Sequence, residues 1–250
     1  MTDQNLDNAR HEVLAENTAQ AVHKHLSKLF QEEARFRSRW VWELLQNARD
    51  AAPVEGVSVS LVHQMDRVIF RHSGLPFTHK SVAHLIYHGS TKYDLSESSP
   101  IGQFGTGFLT THLISKIVTV KGRTDDGRQF CFQLDRRGSN ADELKEVMES
   151  SWEAFRRSLA EGKVEEAGDF STEYEYPLAG STVGEVVTEG IADLIMNASY
   201  LLAFNDQIRS VKVDQPERSV TIEKTGCQSL ANIAQCFHVR EQSLGQDPVS

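Results

Sequence analysis

The sequence predicts a protein of the α/β class, built as an α+β two-layer sandwich in which a mixed, mostly antiparallel sheet is covered on one face by helices. Two observations predict this fold. Short runs of alternating or β-branched residues occur in adjacent pairs with turn residues between them, which is the pattern of β-hairpins. Segments with apolar residues at helical spacing lie between these pairs. Because hairpins make neighbouring strands antiparallel, this order argues against a doubly wound parallel sheet.

The first half of the chain combines helices with one hairpin. Residues 7–35 are rich in helix formers and predict one or two helices. A further helix is predicted from about 35 to 52, because Pro53 stops it. The stretches VSVSLVH and DRVIFRHS predict two strands joined at Gln64–Asp66, and THKSVAHLIYHG predicts a short helix with Thr78 as its N-cap.

The second half begins with a polar stretch, STKYDLSESSP, which predicts a loop. IGQFGTGFLTTHLIS predicts a glycine-rich turn that runs into a helix, and KIVTVKGR with RQFCFQLD predicts a hairpin with its turn at Asp126–Gly127. NADELKEVMESSWEAFRRSLAEGK predicts a helical insertion, in which Trp152, Phe155 and Leu159 form a stripe for packing or for a partner. STVGEVVTE predicts a strand, GIADLIMNASYLLAF a helix, and SVKVD with SVTIEKT a final strand pair.

These elements predict the domain organisation. We expect a helical segment at residues 1–34 and one domain at 35–225, with its helical insertion at about 140–163. Residues 226–250 have no clear pattern and are interpreted as a tail or as the start of a following domain.

Charge, hydropathy and cysteine content exclude several function classes. The formal net charge of -9 gives no global attraction to nucleic acid or to an anionic membrane, so nucleic acid is expected as an indirect partner if at all. We see no apolar run of the roughly 18 to 20 residues that a membrane span needs, and the polar N-terminus lacks a signal peptide. Cys131, Cys227 and Cys236 form no C-x-x-C pair, so we expect free thiols and a cytoplasmic protein.

The predicted helix RWVWELLQNARDAAP carries three polar residues on one stripe. With about 100° per residue, Glu43, Asn47 and Asp50 fall within an arc of roughly 60°, opposite an apolar side. One interpretation is the wet side of an amphipathic helix. The other is a sheltered site for a hard cation and a water molecule, because the stripe holds only short oxygen-bearing side chains and Trp40 and Trp42 flank it.

Two glycine-containing turns follow. HSGLPF (72–77) comes after a strand and before a helix, and GQFGTGF (102–108) also precedes a helix. Glycines at such places let backbone N–H groups approach phosphate oxygens at a helix N-terminus. A tight turn made for packing is the alternative for either turn taken alone.

Taken together, these three stretches resemble the GHKL ATPases, which include gyrase-type topoisomerases, the ninety-kilodalton heat-shock chaperones, MutL and the histidine kinases. ELLQNARDA is similar to their N-box, E-x-x-x-N-x-x-D-A, while HSGLPF and IGQFGTGF are similar to the first and second glycine boxes. With GSTK (89–92), the pattern is most similar to the sacsin-like and heat-shock-chaperone-like branch. Histidine kinases generally lack the Glu four residues before the Asn. The resemblance implies the Bergerat ATP-binding fold over the domain ending near 225, with ATP and Mg²⁺ as cofactors.

The resemblance also implies roles for single residues. Glu43 would be the catalytic general base, Asn47 would hold Mg²⁺, and Asp50 would support the nucleotide end of the helix. The first glycine box would contribute His72, Gly74 and Phe77 to the base. The second glycine box and the predicted lid, Ser90 to Pro100, would contribute the phosphate-side residues: Ser90, Thr91, Lys92, Gly102, Gln103, Phe104, Gly105, Thr106, Gly107 and Phe108. Lys92 would reach a phosphate or remain solvated at the surface.

Three positions leave alternatives open. The first glycine box usually begins with an Asp that accepts a hydrogen bond from the adenine amino group, and here His72 stands in its place. A neutral imidazole can accept through one nitrogen, or Ser73 or a water makes the contact. A Thr on a later strand reads adenine in relatives, which nominates Thr182 or Ser181, although such a pair is commonly structural. His84 and His88 have metal-like spacing, but an ordinary helix face is the preferred interpretation.

The sequence therefore predicts an ATP-binding domain that hydrolyses ATP slowly and whose lid closure switches a larger assembly of chaperone-like, DNA-repair or defence type. Expected partners are ATP, a protein or following domain that completes the site, and a second copy in a nucleotide-dependent dimer. The alternative is a nucleotide-gated binding module that does no chemistry.

Overall fold

The structure is a computed structural model and describes residues 2–87, 107–161, 170–179, 181–230 and 234–244. Its helices are α1 (Thr2–Gln31), α2 (Glu33–Phe36), α3 (Arg39–Asp50), α4 (His79–Tyr87), α5 (Ala141–Glu161) and α6 (Ser181–Phe204), with a 3₁₀ helix at Phe108–Leu113. Its strands are β1 (Val57–His63), β2 (Arg67–His72), β3 (Ile117–Arg123), β4 (Gln129–Asp135), β5 (Thr172–Pro177), β6 (Ile208–Gln215), β7 (Arg218–Leu230) and β8 (Ala234–Leu244).

The eight strands form one sheet in the order β4-β3-β5-β2-β1-β6-β7-β8. β1 pairs with β6 in parallel, and the other neighbouring pairs are antiparallel. Hairpins account for β1–β2, β3–β4, β6–β7 and β7–β8. The predicted mixed, mostly antiparallel sheet is therefore confirmed.

Burial alternates along β3, β4 and β5, so this part of the sheet has one buried face and one open face. On β5, Thr172, Tyr174 and Tyr176 are buried, whereas Glu173 and Glu175 between them are partly exposed. β3 and β4 follow the same period, and α3, α5 and α6 all contact the sheet. The buried face and these helices share one hydrophobic core, which confirms the predicted two-layer sandwich.

Helix α3 is fixed in this layer by both of its tryptophans. Trp40 is fully buried and its indole N–H donates to the carbonyl of Val186 at 3.1 Å. The Trp42 indole N–H donates to a carboxylate oxygen of Asp193 at 2.6 Å. Both acceptors lie on α6, so these two bonds set the position of α3, and with it the polar stripe, relative to α6.

Most predicted elements are confirmed. Both early hairpins form, and the amide of Ser81 donates to the Thr78 hydroxyl oxygen at 3.0 Å, as expected for an N-cap of α4. Gly127 has φ of 86° in the predicted turn. Within α5, Phe155 and Leu159 are buried and Trp152 packs against the ring of Tyr87, so the predicted stripe is a packing stripe.

One predicted element is wrong and one strand was missed. STVGEVVTE is not a strand but the first part of α6, because its buried positions Val186 and Val187 continue at helical spacing to Ile191 and Leu194. β5 was not predicted at all, although TEYEYP alternates strictly. The helix predicted after the second glycine turn is present as a 3₁₀ helix of six residues.

Helix α6 also corrects an expectation about hydropathy. No membrane span was expected from the sequence, whereas the part of α6 at Val183–Phe204 is long and apolar enough to be a candidate by length and composition. Its buried residues include Val187, Leu194, Ala198 and Leu202. A core helix of a globular protein meets the same length and composition criterion.

The C-terminal part of the described chain extends the sheet. β7 runs through residue 225, where the domain was predicted to end, and β8 pairs with it from Ser219↔Leu244 to Leu230↔Ala234. The predicted tail thus contains an edge strand of the same sheet.

Candidate functional site

A cavity opens where the C-terminal end of α3 meets the ends of β2 and β5. Its volume is about 210 Å³, which corresponds to roughly seven water molecules at about 30 Å³ each. The lining combines polar and apolar groups: Asn47, Asp50, Ala51, His72, Leu75, Pro76, Phe77, Thr78, Ser81, Thr172 and Tyr174. Four of the predicted site residues (Asn47, Asp50, His72 and Phe77) therefore share one cavity.

Two residues of the polar stripe of α3, Asn47 and Asp50, line this cavity with unused hydrogen-bonding groups, whereas Glu43 does not line it. One carboxylate oxygen of Asp50, Oδ1, accepts from Arg49 Nη2 at 2.8 Å and from Arg49 Nε at 3.0 Å. The other oxygen, Oδ2, is buried without a partner among the described residues, and so is the amide nitrogen of Asn47. The side chain of Asp50 is only 10% exposed. A buried polar group without a partner costs free energy, so these two groups favour a polar ligand.

Glu43, one turn earlier on α3, lies against the end of the second glycine box. A Cβ built on Gly107 would collide with the Glu43 carboxylate, so a side chain at 107 would displace it. Glu43 Oε1 accepts from Arg39 Nε at 3.0 Å, and the Glu43 side chain is 13% exposed. Glycine at 107 is therefore required by space, and the carboxylate is held between Arg39 and the glycine turn.

The turn after β2 is packed against the end of α3. The amide of Leu75 donates to the carbonyl of Ala51 at 2.6 Å. A Cβ on Gly74 would lie 2.8 Å from that carbonyl oxygen and 2.8 Å from Nδ1 of His72. Only glycine allows this approach without displacing backbone, which explains the glycine of the first box.

His72 is the last residue of β2 and is 2% exposed. The amide of Gly74 donates to its Nδ1 at 3.2 Å. Burial lowers the pKa of His72 to about 4, because a buried imidazolium would lose its hydration. At neutral pH the ring is therefore uncharged, with Nδ1 as an acceptor and the proton on Nε2.

Two cavity residues were missed because they lie on the unpredicted strand β5. Thr172 pairs with His72 and Tyr174 pairs with Phe70 in the β2–β5 register. Both hydroxyl oxygens are buried and have no partner among the described residues. Burial raises the pKa of the Tyr174 hydroxyl well above its usual value, so it remains protonated. The alternation of TEYEYP was the sequence signal that could have found them.

Two of the three phenylalanines nominated from the glycine boxes, Phe77 and Phe108, are core residues as well. Phe77 is 6% exposed and packs edge-on against Phe130 with ring centroids 5.4 Å apart. Phe108 is 1% exposed and packs against Tyr174 at 5.5 Å. Phe77 lines the cavity directly, whereas Phe108 supports the Tyr174 ring.

Several predicted site residues lie outside the described residues: Ser90, Thr91, Lys92, Gly102, Gln103, Phe104, Gly105 and Thr106. Thr182 and Ser181 were expected on a strand, but they begin helix α6, and their side chains also lie outside the description. The strand beside His72 is β5, and its threonine, Thr172, pairs with His72.

No group of three or more His, Cys, Asp or Glu side chains with metal-ligand geometry occurs within the described ranges. His88 is outside them, so the His84–His88 spacing stays a prediction. The fit to a nucleotide with a metal rests on other observations: unpaired buried polar atoms on α3 and β5 face one cavity, and a carboxylate lies against a glycine turn. Mg²⁺ bound through one or two oxygen ligands and phosphates needs no closed protein cage.

In comparisons with known proteins, no family model matches the chain and no curated protein gives a significant match.

Proposed function

We propose that this chain is an ATP-binding domain of the GHKL type that hydrolyses ATP-Mg²⁺ slowly and switches a larger assembly. One observation carries the proposal. Asn47 Nδ2, Asp50 Oδ2, Thr172 Oγ1 and the Tyr174 hydroxyl are buried without partners in the described chain, and all four residues line one cavity. Folding leaves such groups unsatisfied only at a cost, and a bound nucleotide would provide the missing partners.

The residues divide into two functional ends. Thr172, Tyr174 and His72 lie together where β2 and β5 pair and would surround the base. Asn47 and Glu43 lie progressively earlier along α3, and Glu43 contacts Gly107 at the second glycine box. The helix thus leads from the base end to the phosphate end, which supports the same division that the resemblance implies.

Glu43 is the proposed general base. Its carboxylate would take a proton from a water molecule, and its contact with Arg39 and Gly107 restricts where that proton is received. Arg39 is a positioning residue, because it holds Oε1 from one side. Asn47 would bind the metal through its side-chain amide oxygen. When bound, Mg²⁺ offsets the charge that develops on the phosphate oxygens.

The test compares phosphate release by the wild-type protein with that of Glu43→Ala, at saturating ATP and Mg²⁺. General-base loss typically costs about 10² to 10⁴ in rate, so we expect a loss of at least about a hundredfold with ATP affinity retained. Gln46→Ala is the matched control, because Gln46 is an exposed neighbour on the same helix. If wild type and Glu43→Ala both release phosphate only at the background rate, the proposed ATPase activity is wrong.

The second candidate function, a nucleotide-gated binding module without chemistry, is favoured by His72. A histidine at this place departs from the carboxylate of the resembling ATPases. A protein of this kind would bind nucleotide without hydrolysing it. If calorimetry detects no nucleotide binding to the full chain, both proposals fail together.

The proposed switch works through a partner. Its lid is the segment that the sequence predicts, Ser90 to Pro100, which lies outside the described residues. Lid closure would be read by a protein partner, a following domain or a second copy in a nucleotide-dependent dimer. Size-exclusion chromatography with light scattering, with and without ATP-Mg²⁺, measures the dimer directly.

A further inference from the structure

The base end of the cavity contains a hydrogen-bonding group whose direction is fixed by the backbone. A backbone N–H is always a donor, so the 3.2 Å bond from the Gly74 amide makes His72 Nδ1 an acceptor. A neutral imidazole has one N–H, which must then be on Nε2. Nε2 has no partner among the described residues, and His72 lines the cavity.

The other polar groups at this end of the cavity do not have a fixed hydrogen-bonding direction. The hydroxyls of Thr172 and Tyr174 can each donate or accept, so they adapt to either kind of base edge. His72 cannot adapt, because accepting at Nε2 would require the proton at Nδ1, opposite the Gly74 N–H. The hydrogen on Nδ1 and the hydrogen of the Gly74 amide would then point at each other. The turn could not easily relieve this contact, because Gly74 is packed tightly against Ala51.

We propose that His72 makes the base pocket select for a hydrogen-bond acceptor at position 6 of a purine, so that 6-oxo purine nucleoside triphosphates are ligands of this site. The proposal rests on the proposed nucleotide site and refines its substrate class. Adenine presents an amino group, a donor, at position 6, and can meet the His72 N–H only through its ring nitrogen N1. Hypoxanthine and guanine present a carbonyl oxygen there.

A carboxylate at this position would select the opposite way, because it can only accept. The difference between the two side chains therefore reverses the base preference. A buried donor that faces another donor remains unsatisfied, which corresponds to about a tenfold or larger loss in affinity. Inosine triphosphate is the best probe, since it differs from ATP only at position 6 and in the proton on N1.

The experiment measures the affinities of the full chain for ATP-Mg²⁺ and for inosine triphosphate-Mg²⁺ by calorimetry. The wild type should bind inosine triphosphate about tenfold more tightly than ATP, and equal affinities would contradict the proposal. His72→Asp should favour ATP by about tenfold. His72→Asn keeps an acceptor for the Gly74 amide, because the amide oxygen of Asn occupies the place of Nδ1, but it removes the distal N–H. In this variant the preference for inosine triphosphate should disappear.

The outcomes separate the two proposals. A clear preference of the wild type for ATP, or a ratio of affinities that stays the same in both variants, overturns the role of His72 and leaves the nucleotide site in place. Absence of binding for both nucleotides overturns the nucleotide site itself. Since each ratio is taken within one protein, a partial loss of stability in His72→Asp does not affect it, and His72→Asn provides the reading if His72→Asp does not fold.

Discussion

The two faces of the β2–β5 strand pair contain polar groups in opposite states. On the open face, Glu173 accepts from Arg71 at 2.6 Å and from Lys121 at 2.6 Å, and Glu175 accepts from Arg67 at 2.9 Å. On the helix side, Thr172 and Tyr174 alternate with these same glutamates along β5 but have buried hydroxyls without partners in the described chain. One strand thus carries a satisfied polar surface on one side and an unsatisfied one on the other.

This difference separates stability from function. Exposed and half-exposed ion pairs contribute modestly to stability, and their groups already have partners within the protein. Buried hydroxyls without a partner cost stability, and those of Thr172 and Tyr174 belong to residues that line the cavity. We therefore interpret the ion pairs of the open face as stabilising the sheet, and the unpaired hydroxyls on the helix side as groups available to a ligand in the cavity.

The largest expected effect concerns the response of the two faces to acid. Burial lowers the pKa of His72 to about 4 from an ordinary value of 6.5. Below pH 6.5 the His72 imidazole takes up a proton in the unfolded chain but stays neutral in the folded chain. The free energy of unfolding therefore falls as pH decreases from 6.5 to 4. At 1.36 kcal/mol per pKa unit, His72 alone contributes about 3 kcal/mol to this loss.

Urea unfolding at pH 7.0, 5.5 and 4.5 measures that slope. His72→Asn should unfold with a shallower pH dependence than the wild type, because it removes the buried imidazole. His112, whose pKa burial lowers to about 3, adds a similar slope in both proteins. A wild-type stability that is constant between pH 7.0 and 5.0 would contradict the burial of both histidines.

The open face should respond at lower pH and by less. Partial burial alone would raise the pKa of Glu173, but the hydrogen bonds from Lys121 and Arg71 outweigh it, so the pKa is lowered from 4.5. Its stabilisation is present above pH 4.5 and is lost as pH falls through the folded-state pKa. Glu173→Ala at pH 7 should cost about 1.5 kcal/mol, because Arg71 loses its carboxylate partner and Lys121 keeps only Glu175, at 3.4 Å.

The same variant sharpens the comparison of the two faces. Glu173→Gln, which keeps an acceptor oxygen, should cost less than Glu173→Ala, and neither should change nucleotide affinity. A fall in ATP affinity in either variant would mean that the open face is coupled to the cavity.

The smallest effect on stability is expected on the helix side. Thr172→Val removes a hydroxyl without a partner and keeps the side-chain shape, so the free energy of unfolding should change by less than about 1 kcal/mol. Nucleotide affinity should nevertheless fall several-fold, since the hydroxyl faces the proposed base. Chemical unfolding and calorimetry on the same preparation measure both. A destabilisation above about 2 kcal/mol with unchanged affinity would show a structural role.

Sequence alone determined much of the local structure. The hairpins, the N-cap at Thr78 and the stripe of Glu43, Asn47 and Asp50 follow from short-range periodicity and turn chemistry, which depend on near neighbours. The glycines at 74 and 107 were also predicted to be special. Their reason, the close approach of the Ala51 carbonyl and of the Glu43 carboxylate, could not be predicted because it involves contacts between separate segments.

Only the tertiary structure decided how the end of the cavity around His72 is built. Thr172 lies beside His72 because β5 inserts between β3 and β2, a pairing across about 100 residues that no local pattern encodes. The acceptor role of His72 Nδ1 likewise depends on how the turn at Gly74 folds against α3. The sequence determined that a histidine stands at the start of the first glycine box, and the fold determined in which direction that histidine can form a hydrogen bond.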